Sequence, residues 1–185
     1  MDHDKFIFCL EGVQDVEIET ETETVKGLEK LAVQGIDSIY KTCDTIEGLE
    51  ESLTALLYDD HNFKNYEIIY LAMKGEENNI CLNQYYYSLE EIAELFEGKM
   101  RGKIIHFANS KPLELTEEES QYFLDITGAK AISGYGNYTS TVTSGNLDKA
   151  FFSLCEDEDD VIEIVETLHE KYYAICKLLD FKLYY

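Results

Sequence analysis

Two polar residues end similar apolar runs and could do chemistry together. Lys74 directly follows residues 66–73 (YEIIYLAM), and Ser110 ends residues 103–110 (KIIHFANS). A serine hydroxyl becomes a nucleophile when a neighbouring group takes its proton, and a desolvated lysine amine can be that group. One hypothesis is therefore a hydrolase in which Ser110 attacks and Lys74 is the base.

The residues after Lys74 favour a second interpretation without catalysis. Gly75 is followed by Glu76 and Glu77, whose negative charges stabilise the protonated ammonium of Lys74. A protonated lysine cannot accept a proton, and a serine without a base is a poor nucleophile. We therefore interpret Lys74 and Ser110 as polar residues of an inactive site, with the hydrolase as the alternative.

The elements that position this pair can be predicted from hydrophobic periodicity. Apolar runs rich in β-branched and aromatic residues predict strands over residues 5–10, 36–41, 66–73, 103–108 and 129–133, with an edge strand over 181–185. Residues 80–82 and 85–87 are candidates for a hairpin. Helical spacing predicts helices over residues 25–35, 45–60, 88–98, 116–128, 144–155 and 157–179.

Local signals support several of these helices. Ser88 with Glu91, and Thr116 with Glu119, each have the spacing of a capping box. The helix after Thr116 is expected to bury Tyr122, Phe123 and Ile126. Residues 16–24 (VEIETETET) alternate as a strand does, but their like charges favour a solvated loop.

Strands that alternate with helices predict a three-layer α/β/α fold around an open, mostly parallel sheet, because parallel neighbours need crossover connections. The chain has 185 residues, 45% of them apolar, which is enough for one domain spanning residues 1–185. Carboxyl ends of parallel strands share one edge of a sheet, where α/β proteins usually bind ligands. The candidates for a binding surface at this rim are Gly75, Asn109, Lys111, Gly134, Tyr135 and Tyr138. Tyr85, Tyr86 and Tyr87 are expected nearby.

The charge of the chain restricts its partners. Acidic residues number 38 against 15 Lys and Arg, a net charge of -23. Such a field repels polyanions, so nucleic acid and anionic membranes are not expected as partners. No apolar run has the length of about 20 residues that a membrane helix needs, and the first residues lack a basic signal-peptide region. We expect a soluble cytoplasmic protein that binds a protein or peptide.

The cysteines and histidines do not predict a metal or cofactor. The five cysteines are widely spaced without a CxxC pair, and four lie in apolar surroundings typical of buried thiols in a reducing compartment. Glycine-rich phosphate loops are absent from the sequence, so no cofactor is expected. His106 lies within an apolar strand and is interpreted as a hydrogen-bonded core residue rather than a catalyst. Cys81 is a weaker candidate for a displaced nucleophile, because no histidine is near it in sequence.

Three segments resemble the caspase-like fold, and most closely the CHAT-type peptidase domains of bacteria and the small proteins similar to them. In that family one strand ends in His-Gly, the next carries the catalytic cysteine, and a later strand continues into Ser-Gly-Tyr. The matching segments here are residues 68–75 (IIYLAMKG), 104–110 (IIHFANS) and 128–135 (GAKAISGY). Lys74 stands where the family has its histidine, and Ser110 where it has its cysteine.

The resemblance implies a bacterial protein whose cysteine-peptidase site has been lost. Its expected role is then that of a pseudoenzyme, a protein-interaction or regulatory module that uses the rim. A structural subunit of a homo-oligomer is a further alternative.

Overall fold

The computed structural model describes residues 6–13, 21–110, 113–137 and 141–185, and of residues 76, 109, 110 and 141–143 the backbone alone. The strands are β1 (Ile7–Gly12), β2 (Ser38–Cys43), β3 (Ile68–Glu76), β4 (Asn79–Leu82), β5 (Tyr85–Ser88), β6 (Ile104–Ser110), β7 (Ala131–Tyr135) and β8 (Phe181–Tyr184). The helices are α1 (Glu23–Val33), α2 (Ile46–Tyr58), α3 (Leu89–Leu95), α4 (Glu117–Thr127), α5 (Thr141–Asp157), α6 (Val161–Lys171) and α7 (Tyr173–Leu179).

The described strands form one mostly parallel sheet, as predicted. Its order is β2-β1-β3-β6-β7-β8, and only β8 runs antiparallel to its neighbour in this row. The hairpin of β4 and β5 extends from the end of β3, to which β4 pairs antiparallel. In the chain, the hairpin and α3 separate β3 from β6, but in the sheet the two strands are parallel neighbours. Their carboxyl ends therefore lie side by side.

Helices cover both faces of the sheet and complete the three-layer α/β/α architecture. One core, with Phe8, Leu71 and Phe107 from the strands, packs against α2, α3 and α4. The other core, with Cys9 and Ala108 from the strands, packs against α1, α5, α6 and α7. Successive residues of a strand point to opposite faces, so each central strand contributes to both cores.

Local sequence signals produce the helix starts that we predicted. Ser88 with Glu91 forms a capping box at α3, and Thr116 with Glu119 forms another at α4. Helix α4 ends at Gly128, whose positive φ of 74° is a conformation that glycine adopts without steric cost. The hairpin and the closing strand β8 are also confirmed.

Several expectations need correction. The helix predicted over residues 157–179 is two helices, α6 and α7, which meet at Tyr172. Tyr122, predicted to be buried, is 40% exposed, because α4 turns Ser120, Phe123 and Thr127 inward instead. The stretch interpreted as a loop, residues 16–24, falls largely outside the described residues, and its last two positions belong to α1.

Candidate functional site

Lys74 and Ser110 belong to neighbouring strands of the sheet. β3 and β6 pair in parallel register from Ile68 with Ile104 to Ala72 with Ala108. The register then shifts, and Gly75 pairs with Ser110. Paired strands lie about 4.8 Å apart, so the backbones at positions 74 and 110 are close together at the carboxyl edge. The side chain of Lys74 is exposed there.

The other rim candidates fall into three groups. Gly75 is buried between β6 and β4, where it pairs with Ser110 on one side and Ile80 on the other. The backbone of Asn109 belongs to β6, and Lys111 and Tyr138 lie outside the described residues. Gly134 and Tyr135 are buried in β7, so neither residue forms part of the exposed rim.

A polar network lies buried behind this edge, on the face of the sheet covered by α5. Nδ1 of His106 is 2.7 Å from Oγ of Ser133, and Nε2 of His106 is 2.6 Å from Oδ1 of Asp148. Tyr70 donates its hydroxyl to Oδ2 of Asp148 over 2.9 Å, and Tyr135 donates to Oδ1. Five side chains from three strands and one helix are therefore joined in a single cluster.

The sheet register places these side chains together. Tyr70, His106 and Ser133 are directly opposite one another on β3, β6 and β7. Tyr135 is two residues beyond Ser133 and therefore projects from the same face. Asp148 projects from α5 onto this row and accepts hydrogen bonds from Tyr70, His106 and Tyr135.

Burial and the charge of Asp148 set the protonation of the tyrosines. Desolvation, and secondly the nearby Asp148, raise the pKa values of both Tyr70 and Tyr135 well above their ordinary value. Tyrosine hydroxyls are ordinarily neutral at physiological pH, and the raised pKa values keep these two as donors further into the alkaline range. An ionised carboxylate accepts hydrogen bonds only, so Nε2 of His106 carries a proton directed at Asp148.

The pKa of the buried Cys9 thiol, on the same face, is also raised, first by desolvation and then by the charges of Glu11 and Asp148. A thiol is a nucleophile only as its thiolate, so this environment makes Cys9 inert.

Serine, histidine and aspartate are the residue types of a hydrolytic triad, but burial excludes that role for this network. Ser133 and His106 are 0% exposed, and Asp148 is 3% exposed. A substrate carbonyl cannot reach Oγ of Ser133 through this packing. Buried hydrogen-bonded groups of this kind instead fix one arrangement of the core, because leaving any member unpaired is costly.

Sequence reasoning identified His106 as a hydrogen-bonded core residue but missed its partners. The sequence did contain a signal for Asp148. This residue lies three, four and seven positions before Phe151, Phe152 and Cys155, and that helical spacing places it on the buried stripe of α5. An acid on a buried stripe requires partners, and a histidine in a buried strand is a natural one.

The other described histidines do not lie beside the carboxyl ends of β3 and β6. His61 is exposed and precedes β3, so it lies toward the amino-terminal edge of the sheet. His169 bonds through Nδ1 to the carbonyl of Val165 and packs against Phe181 at the start of β8. Because β8 is antiparallel to β7 and Phe181 pairs with Tyr135, His169 lies toward the carboxyl edge of the sheet. The sheet order places β8 two strand positions from β6 and three from β3, about 10 Å and about 14 Å away.

Within the described part of the chain, no group of three or more His, Cys, Asp or Glu side chains is arranged to hold a metal ion.

A groove opens beside the hairpin on the α3 and α4 side. Its volume is about 420 Å³, and Leu89, Leu115 and Phe123 are among the residues that line it. The acidic residues in its lining are Glu77, Glu90, Glu118 and Glu119. Tyr122 also contributes, and its pKa is raised by desolvation first and then by the charges of Glu90, Glu94 and Glu97. The groove is thus acidic with an apolar floor.

Two tyrosines of β5 are exposed on the same hairpin. Tyr85 is 69% exposed and Tyr86 is 58% exposed, whereas Tyr87 is buried. Tyrosine combines a large apolar ring with a polar end, which makes it common in interfaces.

None of the described helices combines the length and apolar character needed to cross a membrane. Comparison with curated proteins gave no match. A family model does match, over residues 4–185, and its description is "Family of unknown function (DUF6642)". Because the match covers nearly the whole sequence, the chain belongs to the DUF6642 family.

Proposed function

We propose that this protein is a catalytically inactive caspase-like domain that acts by binding a basic protein or peptide segment. The resemblance rests on three segments, and the sheet order supports it by placing them on the adjacent strands β3, β6 and β7. Position 74, which corresponds to the family's histidine, is next to the residue that pairs with position 110, which corresponds to its cysteine.

The observation that carries the inactive assignment is the environment of Lys74. Its side chain is exposed, whereas a lysine that acts as a base must be desolvated. Of the described imidazoles, His106 is held inside by Ser133 and Asp148. His61 precedes β3, toward the other edge of the sheet, and His169 packs beside β8, two strand positions from β6. The exposure of Lys74 and the positions of these imidazoles support a rim without a base for Ser110.

The binding assignment rests on the surface beside this rim. The acidic groove and the exposed Tyr85 and Tyr86 belong to the same hairpin region. Of the ion pairs among described residues, namely Lys26–Glu23, His106–Asp148 and Lys182–Asp180, none includes a carboxylate of the groove. A segment with lysine or arginine would complement these charges, and the net charge of -23 would accelerate its approach.

The binding proposal can be tested with a partner captured from the native host. We expect its binding to weaken at least tenfold when Tyr85 and Tyr86 are both changed to alanine, or when Glu90 and Glu118 are changed to lysine. Tyr173→Ala is a matched control, because Tyr173 is 63% exposed but lies on α7. Equal loss of binding in the control, or no loss in the hairpin variants, would contradict the proposal.

A fluorophosphonate probe, which labels activated serines, distinguishes the inactive domain from the alternative hydrolase with Ser110 as nucleophile and Lys74 as base. We expect no adduct at Ser110 by mass spectrometry. Labelling of Ser110 that disappears in Lys74→Ala would replace the inactive assignment with the hydrolase. Light scattering distinguishes the remaining alternative, since a structural homo-oligomer gives a defined multimer without another partner.

A further inference from the structure

A second groove lies on the opposite face of the sheet, among α1, α5 and α6. Its volume is about 470 Å³, which is within the range of about 300–1,000 Å³ typical of small-molecule sites. The lining residues are Lys30, Gln34, Asn146, Lys149, Ala150, Ser153, Leu154, Asp157, Lys171 and Tyr172.

Three lysines surround this groove in a chain with few cations. Lys30 comes from α1, Lys149 from α5 and Lys171 from α6. The whole chain has 15 basic residues against 38 acidic ones, yet the only acidic residue in this lining is Asp157. Among the described residues, the ion pairs formed by lysine side chains are those of Lys26 and Lys182, so none joins these three to a carboxylate.

Two of the three ammonium groups repel one another. The pKa of Lys149 is lowered by desolvation first and then by the charge and hydrogen bonding of Lys30. Glu23 acts in the opposite direction but is the weakest influence, and it is held 3.1 Å from Lys26. A bound anion would relieve this repulsion.

The walls of the groove position Lys149. The methylenes of Lys149 lie on α1, since Cγ and Cδ are 3.8 Å from where a Cβ on Gly27 would be. Ser153 donates to the carbonyl of Lys149 over 2.9 Å and contacts Oε1 of Gln34 at 3.3 Å, linking α5 to α1. Tyr172, 43% exposed, adds an aromatic ring at the edge. The site therefore offers clustered cations beside an apolar surface.

We propose that this groove binds the phosphoryl group of a small phosphorylated molecule. Three cations at one place match the multiple charges and acceptor oxygens of a phosphoryl group better than the single charge of a carboxylate. A long polyanion is a poor occupant, because the rest of the chain, with its net charge of -23, would repel it.

Amide chemical shifts of the full chain, titrated with inorganic pyrophosphate at constant ionic strength, test the proposal. We expect saturable changes centred on the groove and much weaker binding of acetate. Lys30→Gln, Lys149→Gln and Lys171→Gln should each lower pyrophosphate affinity about tenfold, since each removes a charged hydrogen-bond donor. Lys26→Gln is the control, because Lys26 lies on α1 but is paired with Glu23.

Adenosine diphosphate, compared with pyrophosphate, distinguishes two sources of the phosphoryl group, namely a phosphate ester and a free phosphate. If the nucleotide binds more tightly than pyrophosphate, and Tyr172→Ala lowers its affinity to that of pyrophosphate, the result supports a phosphate ester as the ligand. Equal binding of both supports free phosphates. Shifts that spread over the surface without saturation, or a Lys26→Gln effect equal to those of the groove variants, would overturn the proposal.

Discussion

His106 on β6 and Ser133 on β7 lie directly opposite each other, and Nδ1 of the imidazole is 2.7 Å from Oγ of the hydroxyl. The other ring nitrogen, Nε2, is 2.6 Å from Asp148, so the order of residues is that of a Ser-His-Asp triad. The two ring nitrogens are exchanged, however, because in such a triad Nε2 faces the serine and Nδ1 faces the aspartate. A second difference from an enzyme is access, because packing of α5 on the sheet leaves these groups almost no contact with solvent. The residue types that activate an exposed serine in an enzyme here link the sheet to the helix layer that contains α5.

Asp148→Asn is expected to lower the free energy of unfolding by about 3 kcal/mol, because an amide cannot accept from His106, Tyr70 and Tyr135 together. Urea denaturation followed by circular dichroism measures this change. Glu156→Gln, an exposed position on the same helix, should change stability by less than about 0.5 kcal/mol. Equal stability of the two variants would show that the network contributes little.

Ser133→Ala is expected to cost about 1–2 kcal/mol of stability, since Nδ1 of His106 then lacks its partner in a dry interior. Ser133→Thr retains the hydroxyl but adds a methyl group. It therefore tests whether the hydrogen bond or the available volume determines the stability of variants at this position. Because Ser133 is 0% exposed, a fluorophosphonate probe should leave it unmodified in the folded protein. A Ser133 adduct under native conditions would contradict the structural role assigned to this network.

The features that could be predicted from the sequence are those encoded locally. The capping boxes at Ser88 and Thr116 need residues three positions apart, and the hairpin needs two short runs around a turn. The adjacency of positions 74 and 110 followed from the rule that consecutive parallel strands end at the same edge.

The remaining features depend on contacts distant in the chain. Tyr70 and Asp148 are 78 residues apart, and His106 and Asp148 are 42 apart, so no local pattern reports either pair. Tyr135 was assigned to the rim because it follows a strand end, whereas β7 continues through it and turns its ring inward. The junction of α6 and α7 at Tyr172 has neither glycine nor proline to indicate it.

Alkaline pH should destabilise the protein through its buried tyrosines. The pKa values of Tyr70 and Tyr135 are raised in the folded chain above the ordinary 10.0, so the folded state holds more protons than the unfolded state above that pH. Their contribution to stability is complete below pH 10 and is lost as pH rises, by about 1.4 kcal/mol per pH unit for each tyrosine.

Urea midpoints measured from pH 8 to 11 give this slope, and tyrosinate absorbance should appear for these residues only on unfolding. Tyr70→Phe should reduce the slope of stability against pH by the contribution of one tyrosine. This holds whatever stability the substitution costs at neutral pH. Tyr185→Phe is the control, since Tyr185 is 64% exposed. A slope unchanged in Tyr70→Phe would mean that Tyr70 ionises as easily folded as unfolded.

Glycines at two positions are expected to respond oppositely to alanine. A Cβ on Gly134, in β7, would lie 2.6 Å from Cδ2 of Leu113 and 3.2 Å from the carbonyl oxygen of Phe107 on the neighbouring strand. Because that carbonyl belongs to the sheet backbone and cannot move aside cheaply, Gly134→Ala should cost about 2 kcal/mol. Gly145, within α5, has nothing within 4 Å of the same position, so Gly145→Ala should stabilise the protein by up to about 1 kcal/mol. Thermal and urea unfolding measure both changes. A Gly134→Ala variant as stable as the unchanged protein would contradict the close packing of Leu113 over β7, and a destabilised Gly145→Ala would contradict the open space at Gly145.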